Sequence, residues 1–383
     1  MLRYLTAGES HGKALTALIE GLPAGVKIEI DQIKKKMRLR QGGYGRGGRM
    51  DIETDTVQFT AGLRGGMTLG SPLALQIENK DWPNWQEHMD ALAPAFSAEK
   101  NVTRPRPGHA DLAGALKYRH TDLRNILERA SARETAARVA VGAIAQEFLR
   151  PFGIRVQGQV VAVGGIHAEI CSAIADESIY DDPFYCMDTA ASAQMRKRVD
   201  EAREKGDTLG GIFQVIAEGL PPGLGSHVQA DRKLDGLIAQ GLMSIPSVKG
   251  VEIGEGFLLS GFPGSEVHDE IAYSPEKGYD HATNRAGGLE GGITNGEVLL
   301  VRAAVKPIPT LLSPLRSVDM LTKEAVPAAF ERSDVCVVPA ASIVGEAALA
   351  WVLAQAVLDK FGGDHLEETL DNYRRYREYL RTR

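Results

Sequence analysis

Apolar residues recur along this chain in two registers, one alternating and one helical. Short runs rich in Val and Ile, bounded by Gly or Pro, predict strands over 154–163, 211–218, 251–260 and 296–305, with further strands at 73–78 and 3–7. Residues 13–20 read as a helix following a Gly-flanked turn. A second helix, 132–149, opens at the capping box Ser131-x-x-Glu134 and ends before Pro151 and Gly153. Its Ala136, Ala137, Ala140, Gly142, Ala143 and Ala145 leave room for another helix to come close. A third, 342–361, is apolar almost all round, which predicts burial, and stops at Gly362-Gly363. The polar stretch 188–206 keeps Met195, Val199 and Ala202 at helical spacing and reads as a surface helix closed by Gly206. Strands and helices do not alternate regularly, so the expected class is α+β and not a doubly wound sheet. No clear linker and no repeat of solenoid period divides the chain.

Composition narrows the function classes. The 383 residues carry a formal charge of -6 and are 43% hydrophobic, ordinary for a globular protein with a real core. A pI near 5.9 argues against nonspecific binding to nucleic acid or anionic membrane. No stretch reads as the roughly 20 apolar residues of a membrane span, and the N-terminus lacks an apolar signal region. Cys171, Cys186 and Cys336 are odd in number and lack C-x-x-C spacing, which fits a reducing cytoplasm and predicts no metal framework.

Against that acidic background four segments concentrate arginine: 38–49, 104–111, 129–138 and 332–334. Each brings Gly, Pro or Ser, which let backbone approach a ligand, and guanidinium pairs with phosphate and carboxylate in two-pronged fashion. A pocket for a small molecule with several negative charges is the first reading. Gly8-Glu9-Ser10-His11-Gly12 matches G-x-S-x-G, the nucleophile elbow of hydrolases, but only seven residues precede it. The other reading is a turn that presents His11. Residues 38–49 could be a single RNA-binding R-G-G segment, a solvated loop, or an anion site built on Arg40 and Arg46. His109, which follows Gly108 in a segment stiffened by Pro105 and Pro107, is a candidate for proton transfer. Ser131 caps a helix, and that helix N-terminus between Arg129 and Arg133 is also an anion site. Arg332-Ser333-Asp334 is either a surface ion pair or a carboxylate at the mouth of an apolar run. Nucleotide loops of the G-x-G-x-x-G or Walker type and H-E-x-x-H are absent from the sequence.

Taken in order, G-E-S-H-G, R-Q-G-G-Y-G-R-G-G-R-M, N-K-D-W, R-P-G-H-A-D, E-R-A-S-A-R-E-T-A, G-G-L-E-G-G-I-T-N-G, K-P-I-P-T and R-S-D-V-C-V-V-P-A-A resemble the chorismate synthase family over nearly the whole chain. The resemblance implies one domain over 1–383, a β-α-β sandwich with helices between two antiparallel sheets, and a homotetramer. It implies conversion of 5-enolpyruvylshikimate 3-phosphate to chorismate and phosphate by 1,4-anti elimination. It also implies a requirement for reduced FMN without net electron consumption. A separate flavin reductase is the expected electron source, with NADPH as direct reductant the alternative. The roles implied are His11 toward the reduced flavin, His109 as general acid for the departing phosphate, and Asp334 in moving the C6 proton. Substrate would meet Ser10, Arg40, Arg46, Arg106, Ser131, Arg133 and Arg332. The cofactors would meet Arg40, Arg46, Arg129, Ala130, Ser131, Pro246, Ser247 and Gly291, then Lys306, Pro307, Ile308, Pro309, Thr310 and Arg332. Ser247 departs from the alanine expected there.

Overall fold

The computed structural model describes residues 1–47, 54–92, 98–275, 278–331 and 334–382. A first antiparallel sheet takes β1 (Arg3–Ala7), β2 (Ala14–Glu20), β3 (Val57–Ala61) and β4 (Leu73–Glu78) in the order β1-β2-β4-β3. The expected helix over 13–20 is therefore a strand. Leu15, Leu18 and Ile19 suit a helical face, but the buried set is Leu15, Ala17 and Ile19 at period two, while Leu18 is exposed. Pairing on both edges, Leu18 opposite Leu5 and Ala74, decides the matter.

A second antiparallel sheet takes β5 (Arg155–Val163), β6 (Ile166–His167), β7 (Gly211–Glu218), β8 (Val248–Ile253) and β9 (Leu299–Val305) in the order β8-β9-β7-β5-β6. The strand expected over 251–260 starts earlier and stops at Ile253. Gly254 ends it at φ 60°, where an added Cβ would lie 2.2 Å from the Arg285 carbonyl oxygen.

The longer helices are α1 (Ile30–Gln41), α2 (Asp111–Tyr118), α3 (Thr135–Leu149), α4 (Thr189–Glu204), α5 (Leu234–Met243), α6 (Val338–Phe361) and α7 (Leu366–Arg381). The helix α3 lies on the first sheet through β2, α6 lies on the second through β5 and β7, and the two pack on each other with α1 beside them. This is the helical layer between two sheets. Gly142 makes the close approach possible, since a Cβ there would come within 2.4 Å of the Ala347 backbone. One continuous core runs from Leu2 to Tyr373 through both sheets and the helices. By length and mean hydropathy α6 alone, among the described residues, could cross a membrane. Instead 83% of its apolar window is buried in the molecule, and it carries Glu346. That fully buried carboxylate accepts from Gln146 Nε2 (2.7 Å) and the Gly158 backbone (2.9 Å) and pairs with Lys36 (2.5 Å), joining α3, β5 and α1.

Candidate active site

A cavity of about 840 Å³ opens at one end of this sandwich, where element termini and loops converge. Ser10 and His11 arrive on the β1–β2 turn, Arg40 on the last turn of α1, and Arg133 on the 3-10 turn Ala132–Glu134 that leads into α3. Arg106 and His109 precede α2, Ser247 precedes β8, and Lys306, Ile308, Pro309 and Thr310 follow β9. Asp334 stands just before α6, whose Ala340, Ala341 and Val344 give an apolar wall.

Two guanidiniums are fixed from behind by one carboxylate. Asp55, fully buried, accepts from Arg40 Nη2 (2.6 Å) and from Arg133 Nη1. Burial alone would push the Asp55 carboxyl up, but Arg40 and Arg133 overcome this and hold it below its ordinary value. Burial, then the neighbouring Arg133, pulls Arg40 below its ordinary value despite Asp55. Arg133 Nε donates to Asn79 Oδ1 (2.8 Å), and Asn79 Nδ2 donates to the carbonyls of Glu9 (3.1 Å) and Gly12 (2.7 Å). The G-E-S-H-G turn and the arginine pair are thus one rigid unit.

Both histidines are held by a carboxylate at Nδ1. His11 Nδ1 lies 2.8 Å from Glu128 Oε1, and its backbone N–H donates to Oε2 at 2.7 Å. His109 Nδ1 lies 2.6 Å from Asp111 Oδ1. Asp111 also accepts from Arg106 Nε (2.8 Å) and Nη2 (3.1 Å). Burial would raise the Asp111 carboxyl; hydrogen bonds and charge from His109 and Arg106 bring it well below the carboxylate range instead. A carboxylate at Nδ1 assigns the proton to that nitrogen and leaves Nε2 of His11 for chemistry, while Nε2 of His109 lies 3.5 Å from Arg106 Nη2.

The remaining predicted groups fall as follows. Asp334 pairs with Arg46 (2.7 Å) and accepts from the Gly47 backbone (2.6 Å), so carboxylate and guanidinium enter the cavity together. Ser131 caps its turn by accepting from the Arg133 N–H (3.3 Å) and donates to Ser10 Oγ (3.1 Å). Glu134 does not close the reciprocal half of the capping box; it takes Thr6 and Arg138 instead. Ser10 is 2% exposed on a turn between two strands, not on a strand-to-helix elbow. Lys306 donates to the Gly108 carbonyl (2.5 Å) and is lowered by burial and by Lys249. Ser247 takes φ 71° and accepts from the Lys306 N–H (2.9 Å), tying the two segments of the expected flavin wall.

Arg129, Gly291 and Pro307 do not line the cavity in the single chain. Arg129 turns to the Thr6 carbonyl (2.9 Å) and side chain, and Gly291 sits in the turn of a small hairpin. Arg332 lies outside the described residues. Sequence reasoning missed Asp55, Asp111, Glu128 and Trp85. Asp111 had a signal, a carboxylate two residues beyond His109. Glu128 is 117 residues from His11, and no local pattern joins them.

A half-enclosed site that gathers buried arginines and two carboxylate-held imidazoles on a β-α-β sandwich defines a binder and converter of small polyanions. The comparisons make that class specific. The chorismate synthase family model matches residues 2–358. The chain is similar to "Chorismate synthase" of Moorella thermoacetica, 57% identical, with 99% of each chain covered. It is also 57% identical to the protein of that name from Geobacter sulfurreducens, with both chains fully covered. A solved structure described as "Crystal Structure of Chorismate Synthase" superposes with TM-score 0.81 at 43% identity, covering 100% of this chain and 99% of that one. The chain belongs to the chorismate synthase family.

Proposed function

We infer that this cavity converts 5-enolpyruvylshikimate 3-phosphate to chorismate and phosphate, the last step of the shikimate pathway, by 1,4-anti elimination. The observation that carries the reading is that Arg40, Arg46, Arg106, Arg133 and Lys306 line one cavity together with His11 and His109. The substrate has two carboxylates and a phosphate, and fixed guanidiniums in a half-enclosed site stabilise such charge without reorganising. Buried Arg40 Nε has no protein partner among the described residues.

The family implies a reduced flavin, and we assign it as FMN. When bound, it supplies the electron-rich ring beside which the elimination runs without net oxidation. Ala130, Ser131, Pro246, Ser247, Lys306, Ile308, Pro309 and Thr310 would hold it, and the donor set fits: a lysine, three hydroxyls and a capped turn for a phosphate, prolines for a ring. On the protein side, His109 Nε2 holds the proton that the departing phosphate needs, with Asp111 steadying the imidazolium. His11 holds a second proton site, and Asp334 takes part in removing the C6 proton. Arg40 and Arg46 are also where NADPH would contact the chain, although a separate reductase better explains the electron supply. We place the enzyme in the cytoplasm as a single-domain homotetramer.

Anaerobic assay of the purified protein tests this. Chorismate should form with chemically reduced FMN and not with oxidised FMN. Equal rates with both would overturn the flavin assignment.

A further inference from the structure

We propose that Glu128 and Trp85 are positioning residues that clamp His11, by its edge and by its face, so that Nε2 is the nitrogen offered to the reacting molecules. The inference rests on the role given to His11 above and adds what sets its orientation. Glu128 is 2% exposed and meets His11 with both oxygens, at 2.8 and 3.0 Å from Nδ1. It is itself braced by Arg124 Nη1 at 3.0 Å, and Arg124 Nε donates to the Lys100 carbonyl at 2.7 Å. Trp85 stacks on the imidazole with ring centroids 3.9 Å apart and 27° between planes. Its own Nε1 donates to Asp81 Oδ2 at 3.0 Å, and Lys100 Nζ lies 3.9 Å from the indole centroid.

The clamp is more than support for the turn. Asn79 already pins that turn through Glu9 and Gly12. What Glu128 and Trp85 add is control of one ring. The carboxylate selects the Nδ1–H tautomer, and the indole removes rotation about the Cβ–Cγ bond. Buried and flanked by His11 and Arg124, Glu128 is held ionised: burial raises its carboxyl, and those two partners bring it below its ordinary value. Nε2 has no partner among the described residues, while the ring lines the cavity.

The first test needs no turnover. Selective ¹⁵N-histidine labelling of the full chain, at a pH where His11 is neutral, should show a pyrrole-type Nδ1 and a pyridine-type Nε2. The signal is identified by its loss in His11→Gln. A wild-type His11 in the Nε2–H form, or an even mixture, overturns the clamp. Kinetics with reduced FMN give the second test. Glu128→Gln and Trp85→Leu should each lower kcat by about 10- to 100-fold, part of the range for general acid–base groups. KM should stay within about threefold, and Trp85→Phe should recover most of the loss. If both variants match wild type while His11→Gln is crippled, the clamp falls and the role of His11 stands. If His11→Gln keeps full kcat, the role assigned to His11 falls, and the clamp with it.

Discussion

Asp334 is the residue whose chemistry and packing pull in different directions. A carboxylate in an anion site weakens anion binding unless it has a task. Here it sits 2.7 Å from Arg46 and receives the Gly47 N–H, at 18% side-chain exposure. Asp334→Asn keeps an acceptor for Gly47 but removes a charge from Arg46, which then attracts anions more strongly. Binding of substrate should hold within about tenfold, ~1.4 kcal/mol. Turnover should fall by at least about 10², ~2.7 kcal/mol of barrier, because an amide cannot cycle a proton. Titration by isothermal calorimetry and anaerobic turnover separate the two effects. Unchanged kcat would leave Asp334 as an ion-pair partner only, and loss of both would make its role structural.

At the level of elements, the carboxylate that matters most is Asp55. It joins the end of α1, through Arg40, to the start of α3, through Arg133, and so fixes the helical layer against the first sheet. Asp55→Asn leaves two guanidiniums, each under 6% exposed, short of a counter-charge. Breaking such a buried pair costs about 3–5 kcal/mol, so the urea midpoint should drop by that equivalent. The same pairing sets an acid limit. The folded carboxyl of Asp55 lies below its unfolded value of 3.8, as that of Glu128 lies below 4.5. Their stabilisation is therefore complete above those values and is lost as pH falls through the lower, folded ones. Wild type should lose stability steeply below about pH 4 in urea titrations, and Asp55→Asn should show a shallower slope.

Across the whole molecule, one core reaches from Leu2 to Tyr373 and takes side chains from both sheets. Neither sheet has a separate interior. The proposed single domain then predicts that far-ultraviolet circular dichroism and the near-ultraviolet aromatic signal disappear at one urea concentration. Two separated transitions would mean two folding units. Trp351, in α6 against Tyr4 of β1, and Trp85, at the cavity, sample distant regions, so the aromatic signal is a fair reporter.

The chain by itself determined the class and several of the residues that line the cavity. Alternation and Gly or Pro boundaries gave β5, β7 and β9, and apolar content gave α6, because those signals depend on residues within one element. Arg40, Arg46, Arg106, Arg133, both histidines and Ser131 were legible as candidates for the same reason: each sits in a short motif whose backbone demands are local. The strand at 14–20 was not legible, since seven residues hold both a period of two and a helical spacing, and only pairing with β1 and β4 chooses. Nor could the sequence join Asp55 to Arg133, Glu128 to His11, or Trp85 to the imbedded imidazole face. Those partners are brought together by the sandwich, and a carboxylate's effect on a distant histidine is electrostatic, falling with distance in space and blind to distance along the chain.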